Sequence, residues 1–181
     1  MVKYLKSLSA IIISITLIGC STVPETRQAK NVLQSKVDEA ISDFKNRDPE
    51  IQEFFDNSYG YAVFPEVVKG AFWVGGARGK GQAFEQGDFV GYSSLTQATI
   101  GFSFGGEFFR EIIFFQNQSD FEEFTYDEYT FSAQASAVVL RAGAAAKADY
   151  EYGKAVFIIA EVGAMVDASI GGQKFEFVPA P

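Results

Sequence analysis

Residues 59–81 read YGYAVFPEVVKGAFWVGGARGKG, and this stretch decides the fold class. Aromatic, β-branched and alanine residues dominate it, and glycine interrupts them at short intervals. Such runs are typical of β-strands, and glycine within them permits the bends and bulges that a strongly coiled sheet needs. The stretch therefore predicts short strands that turn sharply, and the run GGARGKG at 75–81 is expected to be a tight turn between two of them.

The same character continues to the C-terminus. The segment TIGFSF at 99–104 alternates, with Ile100, Phe102 and Phe104 on one face and the smaller or polar residues on the other, as in a half-buried antiparallel strand. We expect a brief helix at 119–124. The predicted strands are 59–64, 69–77, 82–85, 89–92, 97–104, 107–115, 131–140, 155–161, 164–170 and 173–177.

Helices precede the strands. The apolar residues Leu33, Val37, Ala40, Ile41 and Phe44 recur at spacings of three and four, which predicts one face of an amphipathic helix. After it, Asp48-Pro49 is typical of a helix N-cap followed by proline in the first turn, and predicts a second, short helix. The expected fold is α+β, in which N-terminal amphipathic helices pack on a strongly curved, mainly antiparallel sheet or partial barrel.

The N-terminus has the pattern of an export signal. Lys3 and Lys6 precede a short apolar run that ends at Ile18, about half the roughly 20 residues that a membrane-spanning helix requires. The sequence Leu17-Ile18-Gly19-Cys20 resembles the lipobox of bacterial lipoproteins, in which the cysteine accepts a lipid. We therefore expect a signal peptide at 1–19, a lipidated tether at 20–28 and a single domain at 29–181. Ser21 after the cysteine favours the outer membrane, facing the periplasm.

Composition narrows the chemistry. The chain has no histidine, and its single cysteine is the predicted lipid acceptor, so His-assisted nucleophiles, thiol catalysis and the common His and Cys metal sites are not expected. Removal of residues 1–19 changes the net charge from -8 to -10, which disfavours nucleic acid as a partner. We expect no enzyme, no metal and no cofactor.

The order of these signals resembles the SYLF domain family, whose bacterial members are often lipoproteins. The matching residues are the amphipathic helix that ends near Phe44, the stretch 59–81, the alternating segment 99–106, and EVGAMVDASIGGQKFEF at 161–177. The resemblance covers roughly residues 32–177. It implies binding to membrane phospholipid, with actin as a further partner of some eukaryotic members.

Two groups of residues are candidates for such binding. The first lies in and near the glycine-rich run: Lys69, Arg78, Gly79, Lys80 and Gly81. The second is Lys30, Lys36 and Lys45 on the first helix, which is either an interfacial element or, as we favour, an ordinary helix with its apolar face on the sheet. The alternative function is an envelope structural lipoprotein whose domain binds another protein rather than lipid.

Overall fold

The computed structural model describes residues 21–126, 128–131 and 137–181, and for 71–74, 100–104, 128, 131 and 161–171 it describes the backbone alone. The predicted signal peptide and Cys20 lie outside the described residues. Three α-helices are present in the described part: α1 (Arg27–Arg47), α2 (Gln52–Asn57) and α3 (Gln118–Thr125). All three were expected, and α1 begins at Arg27, within the segment predicted to be tether.

The sheet consists of three very long strands and two short ones. The strands are β1 (Gly60–Glu85), β2 (Asp88–Phe115), β3 (Glu128–Phe131), β4 (Val138–Val139) and β5 (Lys154–Pro179). Their order is β1-β2-β5-β3 with antiparallel neighbours, and β4 pairs with β5 in parallel. The α+β class and the curved, mainly antiparallel sheet are thus confirmed. Nine of the ten short predicted strands fall on the three long strands, whereas the ends of the tenth, 131–140, fall on β3 and β4 and its residues 132–136 lie outside the described residues.

The prediction of a turn at 75–81 is wrong, because these residues lie inside β1. Instead, β1 folds back on itself, so that a first arm (60–67) lies against a second arm (79–84). A Cβ atom built at Gly81 would overlap the carbonyl oxygen of Val63, and one built at Gly79 would lie 2.9 Å from Val67 Cγ2. Glycine is needed here because the two arms approach each other too closely for any side chain.

The three long strands bend together. Between the two arms, β1 contributes residues 68–78, which pair with 96–108 of β2, and these pair in turn with 162–174 of β5. We call these three segments the bend. The inner face of the folded sheet encloses a core between the arms that includes Phe64, Leu95, Phe115 and Phe175, all fully buried.

A second core lies on the outer face, where the helices pack. Leu33, Val37, Ala40 and Phe44 of α1 are all buried there. The favoured interpretation of the first helix is confirmed, since its apolar face belongs to the protein core and is not free for a bilayer.

The connection from α1 to α2 follows the predicted capping pattern. The Asp48 carboxylate accepts a hydrogen bond from the backbone N–H of Glu50, and Pro49 opens a short 3-10 turn. Asp48 also accepts from the N–H of Ala145 at 2.7 Å, in a buried position. This carboxylate therefore ties the helical layer to the segment that leads into β5.

Candidate functional site

The residues that follow Cys20 are docked on the domain. Thr22 Oγ1 lies 3.0 Å from Ser94 Oγ and donates to Glu176 Oε2 at 3.3 Å. Val23 packs against the outer core, and the Thr26 side chain caps α1 by accepting from the N–H of Ala29. Ser21, the first described residue, is consequently held at a defined place on the surface of the domain.

A groove opens beside this point, with a volume of about 720 Å³. Its walls are the tether with the first part of α1 and, opposite, the two arms of β1. Two of the predicted cations line this groove: Lys36 from α1 and Lys80 from the second arm. Val32, Pro65 and Pro24 supply apolar surface. We call it the tether groove.

The two cations of the tether groove differ in their electrostatic surroundings. Lys36 Nζ forms an ion pair with Glu66 Oε2 at the groove wall, so its charge is largely compensated. No ion pair joins Lys80 to another residue in the described part of the chain. An anion that enters the groove would therefore meet Lys80 as the main positive charge.

Arg78 lies in the next row of the same face. In the register of the sheet, Lys80 is level with Ser94 and Glu176, and Arg78 is level with Thr96 and Lys174. We call Arg78, Thr96 and Lys174 the basic row. Its two cations lie one row beyond the docked tether, and Lys174 also contacts Glu176 at 3.6 Å.

The other candidates in the glycine-rich region point inward. Lys69 is only 3% exposed, on the inner face of the sheet. Gly79 and Gly81 are buried where the two arms of β1 meet. The structure thus places Lys36, Arg78 and Lys80 on one surface and separates Lys69 and the two glycines from it.

The remaining helix cations are engaged elsewhere. Lys30 Nζ lies 5.4 Å from the ring centroid of Tyr92, and Lys45 Nζ lies 4.4 Å from that of Phe55. Lys45 is close to the C-terminal end of α1, and the tether docks at the other end. The three helix cations therefore do not form a single basic patch, although all eight candidates remain predictions as lipid contacts.

A second feature, a polar cluster inside the folded sheet, was not predicted from the sequence. Gln97 and Gln173 are directly paired on neighbouring strands, Thr99 follows on the same face, and Gln173 Nε2 donates to Glu111 Oε2 at 3.0 Å. All four side chains are buried. Burial raises the pKa of Glu111 to about 7, although the hydrogen bond from Gln173 opposes the shift.

The signal for this cluster was the alternation of 99–104 itself. The pattern shows that Thr99 and Ile100 face opposite sides, but it does not show which side is enclosed. The structure encloses the side of Thr99 and exposes that of Ala98. Only the folding back of all three strands, a long-range feature, decides this choice.

The tether groove combines a cation with apolar walls, which fits a molecule with an anionic head and an apolar body. Within the described residues, no three Asp, Glu, His or Cys side chains come together as a metal site would require. None of the helices in that part of the chain is both long and apolar enough to cross a membrane.

One curated protein matches most of the chain. The chain is similar to Beta cell expansion factor A of Aeromonas veronii. The two are 28% identical over 155 residues, which are 84% of this chain and 59% of the relative. The chain thus spans about three-fifths of the length of that relative. No family model matches the chain.

Proposed function

We propose that this chain is a SYLF-type bacterial lipoprotein, anchored through Cys20, whose domain binds anionic phospholipid headgroups without catalysing a reaction. The observation that carries the proposal is the position of Lys80. This cation lines a groove whose opposite wall is the tether that follows the predicted lipid acceptor. SYLF membership rests on the residues at 59–81 and 99–106, and the similarity to Beta cell expansion factor A is compatible with it.

Electrostatics supports this role despite the acidic domain. Each Lys or Arg near an anionic membrane contributes about 1 kcal/mol within a Debye length of about 8 Å. Arg78, Lys80 and Lys174 lie in two adjacent rows of the sheet, next to the tether. An anchored domain meets the bilayer at an effective concentration that can reach the millimolar range, which adds to this attraction in the native protein.

The experiment is co-sedimentation of the mature chain carrying Cys20→Ala with vesicles of phosphatidylethanolamine and phosphatidylglycerol. The double variant Arg78→Glu/Lys80→Glu should bind at least about 30-fold more weakly, the equivalent of about 2 kcal/mol. Lys69 is left unchanged, because it is buried and its replacement would test folding instead.

The matched control is Arg141→Glu/Lys147→Glu, which makes the same change of charge at two exposed positions between β4 and β5. It should bind about as well as the parent. Equal binding by the parent and a folded Arg78→Glu/Lys80→Glu variant would reject the electrostatic part of the proposal.

Anchoring has its own test. Mass spectrometry of the protein from its native host should show a mature N-terminus at Cys20 that carries acyl chains. An uncleaved and unmodified N-terminus would remove the anchor and, with it, the proposed localisation at the outer membrane facing the periplasm.

A second candidate, binding to an envelope protein, is favoured by two exposed aromatic residues. Tyr126 is 85% exposed and Tyr152 is 95% exposed, and both lie near α3. Tyrosine is enriched at protein interfaces. This candidate predicts that Tyr126→Ser/Tyr152→Ser abolishes cross-linking to one specific envelope protein and leaves vesicle binding unchanged.

A further inference from the structure

Apart from the basic row on its outer face and Ala77 on its inner face, the described side chains of the bend have their polarity reversed relative to an ordinary soluble domain. On its inner face, Gln97, Thr99 and Gln173 are buried, as is Lys69. On its outer face, Val68 is 46% exposed and its direct cross-strand partner Phe108 is 44% exposed. Ala98 is exposed on the same face.

Water-soluble antiparallel sheets normally place apolar residues inside and polar residues outside. The opposite alternation is found where the outer face of a sheet meets lipid. The side chains at the bend therefore indicate that something apolar covers its outer face.

The position of the anchor and of the cations points to the occupant. From the docked tether towards the bend, the outer face passes from the row of Lys80 to the basic row, and then to Gly76, Ala98 and Gly172. Successive rows on one face are two residues apart, or about 6.7 Å. This spacing is close to the thickness of one headgroup layer, about 5 to 8 Å.

From these relationships we propose that the bend docks on the bilayer itself, with the basic row, Val68 and Phe108 among the headgroups and Ala98, one row further along, in contact with the first carbons of the acyl chains. This inference rests on the proposed function and deepens it, because it names the surface that contacts the membrane and the depth to which that surface enters. The cations at one level, and the uncharged row of Gly76, Ala98 and Gly172 at the next, match the order in which a phospholipid presents its charged headgroup and its acyl chains.

The contact is shallow for a physical reason. Among the described strands, β1 lies at the edge of the sheet and pairs with β2 alone. Backbone N–H and C=O groups at an open edge need partners, and the hydrocarbon interior offers none. The edge of β1 must therefore stay among headgroups or water, which limits penetration to the upper part of one leaflet.

The test uses the mature chain with Cys20→Ala, in which a single new cysteine at Ala98→Cys carries an environment-sensitive fluorophore. The matched control carries the same label at Val139→Cys, an exposed apolar position on β4. Both are mixed with phosphatidylethanolamine and phosphatidylglycerol vesicles that contain lipids with a nitroxide at about carbon 5 or about carbon 12 of the acyl chain.

We expect the shallow nitroxide to quench the label at 98 at least about twofold more than the deep one does, because the proposed contact extends only a short distance below the headgroups. The control should be quenched by neither. Sedimentation of the same samples separates the two claims.

If the protein pellets with vesicles but the label at 98 behaves like the control, the bend is not the docking surface and headgroup binding stands alone. If the protein does not pellet, both proposals fail. As a second variant, Phe108→Asp should weaken vesicle binding more than Val139→Asp does, and equal effects of the two would overturn the inference.

Discussion

Gln173 donates a hydrogen bond to Glu111 across the interior of the folded sheet, with Nε2 and Oε2 3.0 Å apart. In the register of the sheet the two residues are far from each other, because Glu111 is level with Ile158 and Gln173 is level with Gln97. Their contact therefore exists only because the long strands fold back. It also places a carboxyl group in an interior where burial raises its pKa to about 7.

Glu111 should make the protein less stable as the pH rises. Below pH 4.5, its ordinary pKa, the carboxyl is protonated in both the folded and the unfolded chain. Between 4.5 and about 7 it ionises only when unfolded, so the free energy of unfolding falls with pH, by about 3 kcal/mol in all.

Glu111→Gln removes this titration and should flatten the pH dependence, as measured by urea denaturation at pH 5 and pH 8. Glu53→Gln, at an exposed position of α2, serves as the control and should leave the dependence intact. A wild-type protein as stable at pH 8 as at pH 5 would show that Glu111 is not buried as described.

Because the two arms of β1 approach each other closely, substitution of Gly81 should strongly destabilise the protein. Alanine there would force its Cβ into the carbonyl of Val63, so Gly81→Ala should lower the free energy of unfolding by about 3 kcal/mol. Gly70→Ala is the matched change, since nothing lies within 4 Å of its Cβ position, and it should cost less than about 0.5 kcal/mol. Equal thermal denaturation midpoints for the two variants would argue against the folded-back strand.

Hydrogen bonds to the Asp48 carboxylate connect the helices to the segment before β5. Burial alone would raise its pKa, but hydrogen bonds from the backbone N–H groups of Ala145, Gly143, Glu50 and Ala144 outweigh that effect and lower the pKa. A lowered pKa means that its stabilising contribution is present above pH 3.8 and is lost as the pH falls through the folded value.

Asp48→Ala should lower the free energy of unfolding by about 2 kcal/mol, through loss of a cap and an unsatisfied buried N–H. Asp56→Ala, which removes an exposed carboxylate, should have little effect in the same denaturation experiment. If both variants unfold alike, the Asp48 contact to Ala145 contributes nothing.

Local signals predicted the helical layer well. The spacing of Leu33, Val37, Ala40 and Phe44 fixed the buried face of α1, and Asp48-Pro49 fixed the start of the next helical turn. Both depend on neighbours within a few residues, where periodicity and capping chemistry decide the structure. The α+β class followed from the change at Tyr59 from helical periodicity to runs of strand-forming residues.

The failures share one cause, which is that a long strand can fold on itself. Gly79 and Gly81 suggested a turn because glycine marks turns, but here it marks a close approach of backbones. Lys69 looked like a surface cation, yet the same folding encloses it. For the candidate site, sequence supplied Lys36, Arg78 and Lys80, but not the groove, the basic row or the reversed polarity of the bend.

The central claim is that the domain itself, and not only its acyl chains, holds phospholipid. The most direct measurement is binding of the unacylated mature chain to vesicles of phosphatidylglycerol and of phosphatidylcholine at physiological salt. The account predicts binding to the anionic vesicles that weakens as salt is raised, with much less binding to the neutral ones. Failure of the folded chain to bind either kind of vesicle would contradict it.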